Sequence, residues 1–161
     1  MKKEVQPAIP LMDKSYRFTI VNISGHSFGV EVRNVREIIP FPKVTRVPNV
    51  HKSTIGVFNL RGQIYSLIDV RVLLQLELEP VGKDNMVIIL EYEKLNLGVL
   101  VDKVLGIHRI DAAKIQLPTR EQATQYIQYM NGYYKDKTLG DVYLLDIPAL
   151  IDAPEIRQYL Y

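Results

Sequence analysis

Two copies of one sequence pattern follow each other along the chain, and this repeat constrains the fold more than any other feature. A shift of 69 residues, which moves residue 29 onto residue 98, aligns GVEVRNV (29–35) with GVLVDKV (98–104) without a gap. Both segments read Gly-Val-x-Val-x-x-Val, and Ile38 then aligns with Ile107. Self-similarity of this kind indicates a duplicated structural unit.

The rest of the chain extends the repeat in the same order. The next equivalent pairs are Pro48 with Pro118 and Gly56 with Gly132, with extra residues inserted in the second copy. The ends also match, because GQIYSLIDVRVLL (62–74) resembles GDVYLLDIPALI (140–151) when Asp69 is placed on Asp146. We therefore expect two similar lobes, at about 16–80 and 85–151.

Both copies read as short strands separated by turns. YRFTIVNI (16–23) and FGVEV (28–32) are rich in β-branched and aromatic residues, and NMVIILEY (85–92) and LGVLV (97–101) are apolar enough for core strands. A lobe of about 70 residues is too small for a generous core of its own, so the lobes are expected to share one. Short, closely spaced strands favour small barrels. A polar stretch at 119–128 is predicted to be helical or loop-like.

Composition excludes several functional classes. The 161 residues include no cysteine, so disulfides, thiolate metal sites and cysteine nucleophiles are absent. A net charge of +2, from 20 Lys+Arg and 18 Asp+Glu, is too small to predict a nucleic-acid or anionic-membrane partner. The start of the chain lacks the apolar core of a signal peptide, and no apolar run is long enough for membrane insertion. We expect a soluble cytoplasmic protein with a flexible N-terminal tail at 1–14 and a short C-terminal tail at 153–161.

No motif predicts a cofactor or a metal. The three histidines, His26, His51 and His108, are too scattered for a zinc site. The sequence has no G-x-S-x-G elbow, Walker loop or G-x-G-x-x-G motif. Its ten tyrosines are not accompanied by the basic stripe that single-stranded nucleic-acid binding requires.

Asp69 and Asp146 follow apolar runs at equivalent positions, which leaves a duplicated acid-dependent hydrolase as an alternative. The residues that follow them, Val70-Arg71 and Ile147-Pro148, differ from the small hydroxyl residue and glycine that position an aspartic-protease dyad. We favour the interpretation that both aspartates cap a short helical turn after a strand.

Arg61 places a permanent charge inside GVFNLRGQIYSLIDVR (56–71), a segment that looks like two strands or one bent strand. A structural interpretation is that Arg61 pairs with a carboxylate, with Glu37 as the candidate, while the glycines permit a bend. A functional interpretation is a recognition arginine on a rigid β surface. The second copy reads GYYKDKTLGD (132–141) in this region, so the arginine is specific to the first copy, which favours recognition.

The sequence resembles the CheW family of bacterial chemotaxis coupling proteins over about residues 15–152. The signatures are FGVEVRNVREII (28–39), VTRVPNVHKSTIGVFNLRGQIYSLIDVR (44–71), VIILEYEKLNLGVLVDKVLGI (87–107) and VYLLDIPALI (142–151). The resemblance implies an all-β fold of two intertwined five-stranded SH3-like β-barrels sharing an apolar core. It also implies that 15–152 form a single domain, which agrees with the repeat.

The resemblance further implies a non-enzymatic adapter that joins methyl-accepting chemoreceptors to the regulatory domain of the histidine kinase CheA. Such a protein would be cytoplasmic and recruited to membrane-associated receptor arrays. The kinase contact would use apolar β surface at the barrel ends, without residues assigned here. An adapter of a twitching, gliding or other chemosensory pathway is the alternative. Carried over by position, the receptor-binding residues are Val35, Glu37, Gly56, Asn59, Arg61 and Val87.

Overall fold

The structure is a computed structural model that describes residues 14–119 and 127–160. Most of the predicted N-terminal tail (1–14) and of the predicted polar insertion (119–128) therefore lies outside the described residues. The described residues form ten strands, three short α-helices and three 3-10 helices of three residues each. The elements of the first copy are β1 (Ser15–Ile23), β2 (His26–Glu31), β3 (Val35–Pro40), β4 (Thr54–Leu60), β5 (Gln63–Ile68) and α1 (Arg71–Leu74). Those of the second are β6 (Met86–Leu90), β7 (Leu97–Val101), β8 (Lys103–Asp111), β9 (Met130–Asp136), β10 (Gly140–Leu145), α2 (Ile147–Ile151) and α3 (Pro154–Arg157).

The strands form two five-stranded sheets, and each sheet contains strands from both copies of the repeat. Sheet 1 has the order β8-β1-β2-β10-β9, and sheet 2 has the order β3-β6-β7-β5-β4. These orders become identical when β1–β5 are exchanged with β6–β10, so the copies occupy equivalent places and are intertwined. The predicted all-β fold with five strands in each half is confirmed.

Each sheet is closed on itself by an isolated bridge between its two edge regions. In sheet 2 the backbone amides of Thr45 and Val57 each donate to the other residue's carbonyl at 2.8 Å. In sheet 1 Gln116 and Tyr133 exchange the same pair of bonds, also at 2.8 Å. This closure at equivalent places is consistent with the predicted small barrels.

The apolar core has three parts. The smaller two lie within single sheets, around Phe18, Ile20 and Tyr134 in sheet 1 and around Phe58, Leu67 and Val87 in sheet 2. The largest contains residues of both sheets and of the helices, including Val21, Ile88, Leu145 and Ile156. The predicted shared core therefore exists, and Ile156 of α3 shows that packing continues beyond residue 152.

The two strand-to-helix joints differ, although they align in the repeat. Asp146 is the N-cap of α2, and its Oδ1 accepts a hydrogen bond from the amide of Ala149 at 3.1 Å. The N-cap of α1 is Val70, whereas Asp69 accepts from the amide of Arg71 and from its guanidinium. The cap prediction is confirmed for Asp146 and wrong for Asp69, because Arg71 stands where the second copy has Pro148.

Candidate functional site

Arg61 lies at the tip of a β-hairpin and not within a continuous strand. The two residues between β4 and β5 are Arg61 and Gly62, which have φ angles of 50° and 86°. Two consecutive positive φ angles are the geometry of the type I′ turn, which matches the twist of hairpin strands. The side-chain oxygen of Asn59 accepts from the Gly62 amide at 3.0 Å and so fixes the turn.

The tip is tied to β3 by the predicted ion pair. The terminal nitrogens of Arg61 donate to the two carboxylate oxygens of Glu37 at 2.6 and 2.8 Å. Hydrogen bonding from Arg61 lowers the pKa of the Glu37 carboxyl below its ordinary value. The Arg61 side chain remains 71% exposed, against 27% for Glu37. The guanidinium is thus held in one orientation while most of its surface faces solvent.

A second arginine–glutamate pair begins at the neighbouring residue of β3. Arg36 donates to both carboxylate oxygens of Glu91, at 3.0 and 3.2 Å, and its Nη1 donates to the Tyr65 hydroxyl at 3.0 Å. The ring of Tyr65 in turn stacks on Phe58 with a centroid distance of 5.6 Å. The charge of Arg36 also lowers the pKa of Glu37, so the two ion pairs form one electrostatic cluster.

A β-bulge explains why Arg36 and Glu37 serve different ion pairs. In the register with β6, Val35 faces Leu90 and Glu37 faces Ile89, so Arg36 is the extra residue. Sequence reasoning missed Arg36, because a bulge is not visible in strand alternation. The same irregularity occurs in β8, where Leu105 is skipped between Val104 and Gly106.

The other predicted site residues lie around or beneath this cluster. Gly56 is buried, and a Cβ added there would collide with the carbonyl oxygen of Thr45 at the bridge that closes sheet 2. Val87 is fully buried in the core of sheet 2. Val35 is half-buried against the shared core. The structure therefore brings Glu37, Asn59 and Arg61 together at the surface and places Gly56 and Val87 below it.

The second copy lacks this charged surface. Gly106 occupies the position of Glu37, and Lys137 occupies that of Arg61, so the ion pair has no counterpart. Val104, the equivalent of Val35, is also half-buried against the shared core.

The two aspartates of the hydrolase alternative have structural partners. Asp69 forms a buried ion pair with Arg71 through contacts of 2.8 Å, and Asp146 caps α2. Within 14–119 and 127–160, no group of three or more histidine and acidic side chains is arranged to hold a metal ion. None of the helices described is both long enough and apolar enough to span a bilayer.

Comparisons with known proteins identify the family of this chain. A family model described as a CheW-like domain matches residues 17–155. A chemotaxis protein CheW of Klebsiella aerogenes is 28% identical over 141 residues, which cover 86% of this chain and 83% of that protein. Protein PilI of Pseudomonas aeruginosa is 31% identical over 105 residues, which cover 64% of this chain and 59% of that protein.

Among solved structures, the scaffolding protein TtCheW of Thermoanaerobacter tengcongensis superposes with a TM-score of 0.78. It is 21% identical, and the match covers 92% of this chain and all of that one. The family model spans most of the chain, and the solved relative shares its fold. The chain therefore belongs to the CheW-like domain family, whose proteins act as scaffolds and not as enzymes.

Proposed function

We propose that this protein is a cytoplasmic adapter that couples methyl-accepting chemoreceptors to the histidine kinase CheA in receptor arrays. The observation that carries the proposal is the orientation of Arg61, which is held by Glu37 yet largely exposed. Membership of the CheW-like family supports the coupling role. The proposal places this role in the domain predicted at 15–152, together with α3, whose Ile156 packs in its core.

The receptor-binding surface in this proposal is built around the hairpin tip. A receptor tip is a helical hairpin, and a helix bound on a β surface is recognised by apolar contacts with a few fixed charges. Arginine suits such a contact, because its planar fork makes directional bonds while its stem packs on apolar surface. Holding the fork before binding reduces the entropy lost on association.

The proposed residues contribute in two ways. Asn59, Arg61 and Glu37 would meet the receptor, with Val35 supplying apolar contact. Gly56 and Val87 are buried and would act by shaping the surface, since side chains added or enlarged there would displace the strands above them. The kinase contact stays unassigned at residue level.

The coupling role is tested by reconstitution. Receptor–CheA assemblies are prepared with and without this protein, and kinase activity is measured in the absence and presence of attractant. The protein is expected to raise kinase activity and to make it respond to attractant. Kinase activity that is the same with and without the protein would overturn the proposed function.

The residue assignment is tested separately by receptor binding. Arg61→Asn removes the guanidinium at a backbone conformation that asparagine tolerates, and Glu37→Gln removes the charge that holds it. We expect each variant to bind receptor roughly five- to a hundredfold more weakly while its circular dichroism is unchanged. Arg157→Asn is the matched control, because Arg157 is also an exposed arginine paired with two carboxylates. If all three variants bound receptor equally well, the receptor contact would lie elsewhere on the protein. The proposed coupling role would be unaffected by that result.

A second candidate is an adapter of another chemosensory pathway, such as one for twitching or gliding. The similarity to PilI, a relative that is not named as a chemotaxis protein, supports it. Pull-down of this protein from its source cells distinguishes the two. Recovery of a chemotaxis receptor and kinase favours the first candidate, and recovery of components of a surface-motility system favours the second.

A further inference from the structure

An open cleft of about 440 Å³ lies over β8 and β9 in sheet 1, away from the Arg61 hairpin. The bridge between Gln116 and Tyr133 joins the two edges of this sheet. Four cationic side chains line the cleft, whereas its carboxylates are those of Asp111 and Asp136. The cations are Arg109, Lys114, Lys135 and Lys137. The lining therefore carries an excess of positive charge, although the whole chain has a net charge of only +2.

The first copy of the repeat shows that the fold does not require polar residues at the floor of the cleft. Two residues of the second copy at the floor of the cleft have apolar equivalents in the first copy, Ile39 and Phe58. Phe58 is buried in the apolar core of sheet 2, and Ile39 packs against that core. The two residues of the second copy are His108 and Tyr134. The hydroxyl of the buried Tyr134 lies 2.9 Å from Nδ1 of His108. An apolar pair that suffices in one copy has been replaced in the other by a hydrogen-bonded polar pair.

The hydrogen bond also determines how His108 is presented. Burial raises the pKa of Tyr134 to about 12, so its hydroxyl keeps the proton and can donate it. Oδ1 of Asp136 lies 3.9 Å from the same Nδ1 atom of His108, so two groups face this nitrogen. The hydrogen bond to Tyr134 fixes the ring of His108 at the wall of the cleft.

Part of the cationic lining has no internal partner. Lys135 pairs with Asp141 at 3.1 Å, and Asp136 accepts from the amides of Thr138 and Leu139 at 2.9 Å. Nε of Arg109 donates to the Ser15 hydroxyl, and this bond leaves the two terminal nitrogens of Arg109 unengaged. The side chains of Lys114 and Lys137 make no hydrogen bond or ion pair with any residue that the structure describes.

From this arrangement we infer that the β8–β9 cleft binds a small oxyanion of the phosphate type, either free phosphate or a phosphomonoester. Lys114 and Lys137 supply point charges, Arg109 supplies a planar fork suited to phosphate oxygens, and His108 supplies an imidazole ring that Tyr134 holds in place. The volume is sufficient for a group of this size. This site is separate from the Glu37–Arg61 surface and does not depend on the proposed coupling role.

The test is a titration of the full-length, isotope-labelled protein followed by amide chemical shifts. Inorganic phosphate and phenyl phosphate are the two probes, and sodium chloride at matched ionic strength is the control. We expect saturable shifts in β8 and β9 that chloride does not produce. Tighter binding of phenyl phosphate identifies a phosphomonoester ligand, and equal or tighter binding of inorganic phosphate identifies the free anion.

Two double variants and one control make the assignment specific. Lys114→Ala with Lys137→Ala removes the unpaired charges, and His108→Ile with Tyr134→Phe restores the residues of the first copy. Each double variant is expected to bind the probes at least about tenfold more weakly, while Arg61→Asn leaves binding unchanged. Shifts that do not saturate, or that are equally strong in both double variants, would overturn the inference. Because the first copy already contains Ile and Phe at the equivalent floor positions, the second double variant should fold normally.

Discussion

Arg61 is not a residue that the type I′ turn at its position favours. Type I′ turns favour asparagine, aspartate and glycine, because both central residues adopt positive φ angles. Arg61 nevertheless adopts a φ of 50°, and Asn59 and Glu37 support it from two sides. A residue retained in an unfavourable conformation motivates a functional hypothesis. The proposed receptor contact would account for an arginine at this position.

The Glu37–Arg61 pair predicts a measurable titration. Because Arg61 stabilises the carboxylate, the pKa of Glu37 lies below its ordinary value, and Arg61→Asn should raise it. The contribution of the pair to stability is present above the unfolded pKa of Glu37 and is lost as the pH falls through the folded value. Side-chain carboxyl shifts in an NMR titration from pH 2 to 7 report both values. An identical Glu37 pKa in the wild type and in Arg61→Asn would contradict the pairing in solution.

For individual residues, the sequence predicted a contact where the charge of one side chain required an oppositely charged partner. The Glu37–Arg61 pair was predicted because an isolated arginine in an apolar hairpin requires a carboxylate. The Arg36–Glu91 pair was missed, because it depends on a bulge that turns Arg36 out of the strand register. The burial of Gly56 was also not predicted, since it depends on how the sheet closes, whereas Val87 is buried in a segment that the sequence predicted to be a core strand.

At the scale of elements, the joints between β5 and α1 and between β10 and α2 perform one task by different means. Asp146 satisfies a free amide at the start of α2, which is the ordinary function of an N-cap. Asp69 instead neutralises Arg71, and the two side chains are only 9% and 3% exposed. A guanidinium nitrogen of Arg71 also donates to the carbonyl of Glu79 at 3.1 Å. The first joint therefore ties α1 to the segment that leads into the second copy.

This difference predicts unequal costs for equivalent substitutions. Asp69→Ala leaves the buried guanidinium without a counter-charge and should lower the free energy of unfolding by roughly 3–5 kcal/mol. Asp146→Ala removes one cap and should cost about 0.5–2 kcal/mol. Urea denaturation followed by circular dichroism measures both.

A control separates the loss of the charge pair from the loss of packing. Replacing both partners, as Asp69→Ala with Arg71→Met, removes the unpaired charge and should recover much of the stability that Asp69→Ala loses. If Asp69→Ala cost no more than Asp146→Ala, the buried pair would not be the main support of the first joint.

At the scale of the whole molecule, the repeat predicted the number of similar units. It did not predict that each sheet would contain strands of both copies. Equivalent positions can be aligned from sequence, because the apolar pattern and the glycines recur. Which strands pair is decided by tertiary packing, and here β1 and β2 join a sheet whose other three strands belong to the second copy. Parallel pairing of β2 with β10 and of β5 with β7 links the copies at the centre of each sheet. The shared core is a consequence of this exchange.

The exchange predicts that neither copy folds alone. If the chain is divided between Pro80 and Val81, fragment 1–80 loses the partners of β1, β2 and β3, and fragment 81–161 loses the equivalent partners. Each fragment would also expose its half of the shared core. We expect both fragments to lack a cooperative unfolding transition as monomers, and an equimolar mixture to regain one together with the native amide spectrum.

Thermal unfolding by circular dichroism and sizing by light scattering measure these outcomes. The uncut protein is the control, and a monomeric fragment that unfolds cooperatively on its own would show that the repeat units are independent folding units after all.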